Sequence, residues 1–135
     1  MGYVSKDEKM KITCQIEHFS LEEIMCPCCG LNNISSVSIK KLDLLRSIIG
    51  YPLIVNSACR CEKHNKLVGG SKLSSHICTS DKSSFAFDIA YSNANVCFMI
   101  VRTALKVGFH RIGIYEDFVH LDDDVSKRPA IWYGN

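Results

Sequence analysis

The chain is 135 residues long, 47% hydrophobic and 22% charged, with a formal net charge of +2. That length suits a single domain, residues 1–135, with its own hydrophobic core, and the composition is that of an ordinary globular protein. A small net charge without a dense basic run leaves nucleic acid out as an implied partner. No apolar stretch reaches a membrane span: residues 97–105 come nearest, and Arg102 and Thr103 interrupt them.

Residues 1–18 read as an N-terminal extension whose polar start, Met1-Gly2-Tyr3-Val4-Ser5-Lys6, lacks the apolar core of a signal peptide. Phe19-Ser20-Leu21-Glu22-Glu23-Ile24 opens a helix, because Ser20 can cap it and Glu23 stands where a capping box needs an acid. Cys26-Pro27-Cys28-Cys29-Gly30 ends that helix as a turn. A second helix starts at Ser36 or Ser38, with Val37, Ile39, Leu42, Leu44, Leu45, Ile48 and Ile49 near helical spacing, and Gly50 stops it.

Residues 53–57 predict a short buried strand that delivers Arg60 at its end. Residues 62–67 predict a helical turn, after which Gly69-Gly70 swings the chain toward His76. Residues 85–90 alternate as a central strand presenting Asp88 on one face. A second long helix covers residues 94–107 and closes at Gly108. Residues 111–115 and 118–122 form a strand pair around a Glu116-Asp117 turn. Helices on a small, mostly antiparallel sheet make the expected fold α+β.

Eight cysteines stand at positions 14, 26, 28, 29, 59, 61, 78 and 97. Without a secretion signal they are expected as thiols rather than as a disulfide framework. Cys26, Cys29, Cys61 and His64 have zinc-knuckle spacing and make a second, structural metal a minority reading, with Cys28 left over.

Three residues carry the chemistry. Two imidazoles, His76 and His120, and one carboxylate, Asp88, are three ligands for a divalent ion that leave a position open, as a catalytic zinc requires. Singly, His76 reads as a surface-loop histidine and His120 as a core one. Their setting decides, because Ser57, Arg60, Asn65, Gly69, Gly70, Ser75, His76, Ala86, Asp88 and His120 stand in the order of a known pattern. That pattern resembles the zinc D-alanyl-D-alanine carboxypeptidases and their relatives, the L-alanyl-D-glutamate and other cell-wall endopeptidases, in a short phage-like branch. The resemblance runs from about Phe19 to Trp132. It departs in the eleven residues 77–87 between His76 and Asp88, which are more than usual, in Ala58-Cys59, and in a lost glycine after His76. An outward-bulging loop would leave both ligands in place, since lengthening a surface loop costs little.

The resemblance implies a zinc peptidase fold and hydrolysis of peptidoglycan stem peptides, with Zn2+ on His76, Asp88 and His120. Arg60 would clamp a carbonyl or a terminal carboxylate. Asp117, three residues before His120, is the expected general base, with Glu116 as substitute. Asp122 instead lies on the ligand's face of the strand and suits an imidazole-orienting role. Ser75 joins the substrate-binding set and reads as support for the His76 loop rather than as a nucleophile. Tyr115 and Trp132 can line a groove or be core aromatics, His110 and Arg111 cap a helix end, and Asp123 and Asp124 form a solvated charge run. The expected partner is peptidoglycan, which the slight positive charge would suit, and the chain is expected to be a monomer. It would act on the cell wall or periplasm, reached by phage lysis or from a virion. The alternatives are a non-catalytic wall-binding or virion module and a cysteine-rich zinc-ribbon protein; the latter leaves His76, Asp88 and His120 unexplained.

Overall fold

The computed structural model describes residues 16–134; most of the expected N-terminal extension and Cys14 lie outside them. Helix α1, Leu21–Ile24, begins at the Ser20–Glu23 capping box. Helix α2, Ser36–Ile49, starts where Ser35 accepts the Ser38 N–H and stops at Gly50, whose φ of 83° is left-handed. Strand β1 is Val55–Ser57, and helix α3 is Glu62–Leu67. Strand β2, Ala86–Ala90, leads to helix α4, Ala94–Val107, capped by the Asn93 side chain and ended by Gly108 at φ 110°. Strands β3, Arg111–Ile114, β4, Phe118–Asp122, and β5, Ala130–Tyr133, complete the chain.

The five strands form one sheet in the order β1-β2-β4-β3-β5, antiparallel except for the parallel β3–β5 pair. The expected α+β fold is therefore what forms. Strand β4 sits at the middle of the sheet and β2 beside it. Alternation sends Phe87, Ile89, Val119, Leu121 and Ile112 into the core with Ile39, Leu42, Leu45, Ile100 and Ala104 of α2 and α4. Phe87 meets Phe109 edge to face, with ring centroids 6.1 Å apart. Asp88, His120 and Asp122 stand on the opposite face. Among the described residues no helix is long and apolar enough to cross a membrane.

Several sequence expectations need correction. The strand expected at residues 53–57 is shorter, and it is an edge strand: β1 pairs only with β2, and Ile54 is exposed. Strand β5 was not expected, because four residues paired in parallel with a distant strand carry no local alternation signal. Along α2, Val37, Leu44 and Ile48 are exposed, so its buried stripe is Ile39, Leu42, Leu45 and Ile49.

One cysteine pair expected as thiols is bonded. Cys59 and Cys78 form a disulfide, with Cα atoms 6.0 Å apart across 19 residues of sequence. It flanks a bridge in which Arg60 N–H donates to His76 O and Cys78 N–H donates to Arg60 O, both at 2.8 Å. The disulfide and this bridge lash the His76 segment to the end of β1. Closing a loop of this length stabilises a fold by about 3 kcal/mol in the chain-entropy account. Replacing both cysteines by serine is expected to lower the unfolding free energy by about 2–4 kcal/mol in urea titrations; a double variant as stable as the parent would show that the bond contributes nothing.

Candidate metal centre

Strand register builds the site. Across the sheet Ser57 pairs with Asp88, Asp88 with His120, His120 with Gly113, and Gly113 with Trp132. Directly opposed residues on neighbouring strands project to the same face, so this single row collects the site. Gly113 supplies the space: a Cβ there would come within 2.7 Å of the Trp132 ring. Trp132 therefore folds over the row, its ring centroid 5.5 Å from that of His120.

His76 enters from the loop before β2 and is 2% exposed. Its Nδ1 lies 2.8 Å from the carbonyl of Ala58. A carbonyl only accepts, so Nδ1 carries the proton and Nε2 offers its lone pair. That Nε2 lies 3.1 Å from Asp88 Oδ1. His120 is fixed the opposite way round. Its Nε2 is 2.7 Å from Asp122 Oδ2, which turns Nδ1 toward Asp88 Oδ1 at 3.1 Å.

Three acceptor atoms (His76 Nε2, Asp88 Oδ1 and His120 Nδ1) thus converge on one point, all within 4.8 Å of one another. Lone pairs so placed repel unless a proton or a cation sits among them. In a tetrahedral site with bonds of about 2.0–2.1 Å, neighbouring ligand atoms stand roughly 3.3 Å apart, close to the two 3.1 Å separations. The donor chemistry and the hydrogen bonds on the far side of each ring fit a divalent metal.

Arg60 closes one side of the cluster. Its Nε donates to Ser57 Oγ at 2.8 Å, Nη1 to Asn65 Oδ1 at 3.2 Å and Nη2 to Asp88 Oδ2 at 3.1 Å. A guanidinium has five N–H groups, so one on each terminal nitrogen is left over. Gly70 lets Asn65 hold this arginine, since a Cβ at Gly70 would fall 2.1 Å from Asn65 Oδ1.

The electrostatics follow from these contacts. Burial pushes the Asp88 carboxyl up, but the two histidines outweigh it and hold the group well below the usual carboxylate range. Burial lowers His76 more than Asp88 raises it, so its net shift is downward. Burial also works against His120, yet hydrogen bonds to Asp122 and Asp88 carry its pKa above the ordinary histidine value. Burial lowers Arg60, and the Asp88 charge opposes that shift. Asp122 is pushed up by burial and pulled below its usual range by His120, the Asp124 N–H and Arg111.

The remaining expected site residues fall in different places. Asp122 takes the imidazole-orienting position. Asp117 and Glu116 lie exposed in the β3–β4 turn, and neither carboxylate has a hydrogen bond or ion pair among the described residues. The backbone carbonyl of Asp117 accepts the Tyr91 N–H at 3.1 Å. Ser75 is buried, and its hydroxyl is taken up by Asp124 Oδ2 and Lys127 Nζ, both at 2.8 Å, so it braces the His76 loop. Tyr115 stacks on Phe118, and its hydroxyl accepts the Trp132 indole N–H at 3.1 Å.

Asp123 and Asp124 are no solvated charge run. Both are buried, Asp123 on Ser38 and Lys41 of α2, and Asp124 on Ser75 and Ser126. Paired partners from distant elements make that burial tolerable, and sequence spacing does not reveal them. Arg111 does not cap a helix. It pairs with Asp122 at 3.2 Å and lies over the Trp132 ring. His110 is held to Asp124 O at 3.3 Å.

The eleven-residue stretch between His76 and Asp88 leaves the two side chains facing each other at 3.1 Å. Its tip forms a turn in which Thr79 N–H donates to Lys82 O, and Asn33 and Ser35 pin its base. Beside Asn65 and Gly70 opens a groove of about 1040 Å³ whose walls carry Lys63, Lys66, Lys72, Lys82 and Lys127.

A family model described as Peptidase M15 matches residues 17–122. The chain belongs to the peptidase M15 family, a family of metal-dependent peptidases, as the resemblance in its motifs implies. Comparison with curated proteins finds no match.

In the metal-free protein, ring-proton NMR is expected to show His120 titrating above the ordinary value of about 6.5 and His76 below it. Asp122→Asn should lower the His120 midpoint. Proton and metal compete for Nδ1, so metal affinity should fall as pH drops through that midpoint. A His120 midpoint at or below the ordinary value would contradict the twin-carboxylate cradle.

Proposed function

We propose that the chain is a zinc peptidase that hydrolyses peptide bonds in the stem peptides of bacterial peptidoglycan, as a carboxypeptidase or an endopeptidase. The observation that carries this reading is the convergence of His76 Nε2, Asp88 Oδ1 and His120 Nδ1, each ring held from behind by an acceptor. Zinc held by these three atoms would supply Lewis acidity and lower the pKa of a water in the open position.

The chain's own residues do the rest. The leftover N–H groups of Arg60 receive a substrate carbonyl or terminal carboxylate, and the Asp88 pairing keeps the guanidinium oriented. Asp122 is committed to His120, Arg111 and the Asp124 N–H, so it is not free to move a proton during the reaction. Asp117, in the turn three residues ahead of His120, is the general base: it takes the water proton and passes it to the leaving amine. Trp132 and Tyr115, joined by their hydrogen bond, form an apolar wall beside His120. The lysine-walled groove suits the carboxylates of a stem peptide, which Ser75 serves indirectly by holding the adjoining loop. The place of action would be the cell wall or periplasm.

The test is hydrolysis of purified muropeptides by zinc-loaded protein, with products identified by mass spectrometry. Wild type is expected to release a new amine end. Asp117→Asn should lose about 10²–10⁴-fold in kcat/KM with unchanged zinc content, and His120→Ala should lose both zinc and activity. Zinc-loaded wild type that binds peptidoglycan but cleaves nothing would favour a non-catalytic wall-binding module.

A further inference from the structure

A second group of metal-ligating side chains lies apart from the site just described. Cys26 and Cys29 stand on the turn after α1, where Cys26 N–H donates to Leu31 O and Gly30 N–H donates to Cys26 O, both at 2.8 Å. Gly30, at φ 74°, turns the chain back on itself. Cys61 directly follows Arg60 and caps α3. The three sulfurs, 35 residues apart in sequence at the widest, lie within 4.8 Å of one another, and none is in a disulfide.

The sulfurs are also dressed with N–H donors. Cys61 N–H points at Cys26 Sγ at 3.4 Å, and His64 N–H points at Cys61 Sγ at 3.3 Å. Backbone N–H groups of Cys28 and Cys29 are directed at Cys26 as well. Donors aimed at sulfur stabilise a thiolate, the form that binds metal. In a tetrahedral zinc site with bonds of about 2.3 Å, sulfurs stand roughly 3.8 Å apart, so this cluster needs little movement to close on an ion. Cys28 interacts with Cys61 but is not among the three converging sulfurs. The His64 ring is not among the converging donors; its backbone N–H is what reaches Cys61.

We propose that Cys26, Cys29 and Cys61 hold a structural zinc ion, distinct from the centre at His76, Asp88 and His120. Binding forms three zinc–sulfur bonds, and the thiol protons leave to solvent. The ion would tie the turn at residues 26–30 to the residue next to Arg60. The same neighbourhood is already joined by the Cys59 N–H to Ile24 O hydrogen bond at 3.2 Å and by the Cys59–Cys78 disulfide. A zinc-blocked cluster would also keep these thiols out of disulfide exchange with that bond.

The experiment is zinc content per chain on full-length protein purified without chelator. Wild type is expected to hold two ions, His120→Ala one, Cys61→Ser one, and the double variant none. Because Cys61→Ser can fail to fold, a second measurement uses the wild-type cysteines. After metal removal and reloading with cobalt(II), a sulfur-to-cobalt charge-transfer band is expected in both wild type and His120→Ala. A single zinc that His120→Ala abolishes, or a cobalt spectrum without that band, would overturn the proposal. So would peptide mapping that finds Cys26, Cys29 or Cys61 in disulfides. A muropeptide assay that fails while His120→Ala keeps one zinc would sink the peptidase reading and leave this one standing.

Discussion

The Asp88 carboxylate holds this structure's chemistry together. One of its oxygens faces a ring nitrogen from each of two histidines, and the other accepts from Arg60. It reaches all three because strand register places it between Ser57 on β1 and His120 on β4. A slip of one residue in the β2–β4 pairing would turn Phe87 to the site and Asp88 into the core beneath it, at a cost no single side-chain repair could offset. The apolar packing of Phe87, Ile89, Val119 and Leu121 against the helices therefore does more than stabilise the fold. It sets the register on which the site geometry depends.

The other two arms of the cluster come from loops, and loops need restraint. The Arg60–Ile77 bridge and the Cys59–Cys78 disulfide hold the segments carrying Arg60 and His76 at fixed spacing. Ala58 contributes a backbone carbonyl that sets the His76 tautomer. Asp122 plays the matching part for His120, and Arg111 braces Asp122 while covering Trp132. Which nitrogen of each ring faces the shared point is thus chosen by what its other nitrogen touches, which is how a fixed donor set is presented without backbone strain.

Local pattern carried much of this. The Ser20–Glu23 box, the apolar spacing of α2 and α4, and the glycines that stop them are short-range signals, and the helices stand where those signals place them. The alternation in β2 and β4 already put Asp88 and His120 each on a definite face, and their motif order drew them together with His76. What stayed hidden is what depends on distant partners. Asp123 and Asp124 look like a charge run until Lys41, Ser38 and Ser75 arrive from elsewhere in the chain. Strand β5 exists only because β3 offers it an edge. The Cys59–Cys78 bond follows from the Arg60–Ile77 bridge, a contact that cysteine spacing alone cannot reveal. Asp117 stands in an exposed turn with no packed neighbour to mark a role for it.

The central claim is that hydrogen bonds behind the two rings select which nitrogens face the shared point. Anomalous diffraction at the zinc absorption edge, on crystals grown with zinc, tests it most directly. The expected result is a peak bounded by His76 Nε2, Asp88 Oδ1 and His120 Nδ1, with the His120 Nε2–Asp122 contact intact. A peak bound through His120 Nε2, or zinc absent from this cluster and present elsewhere, would contradict it.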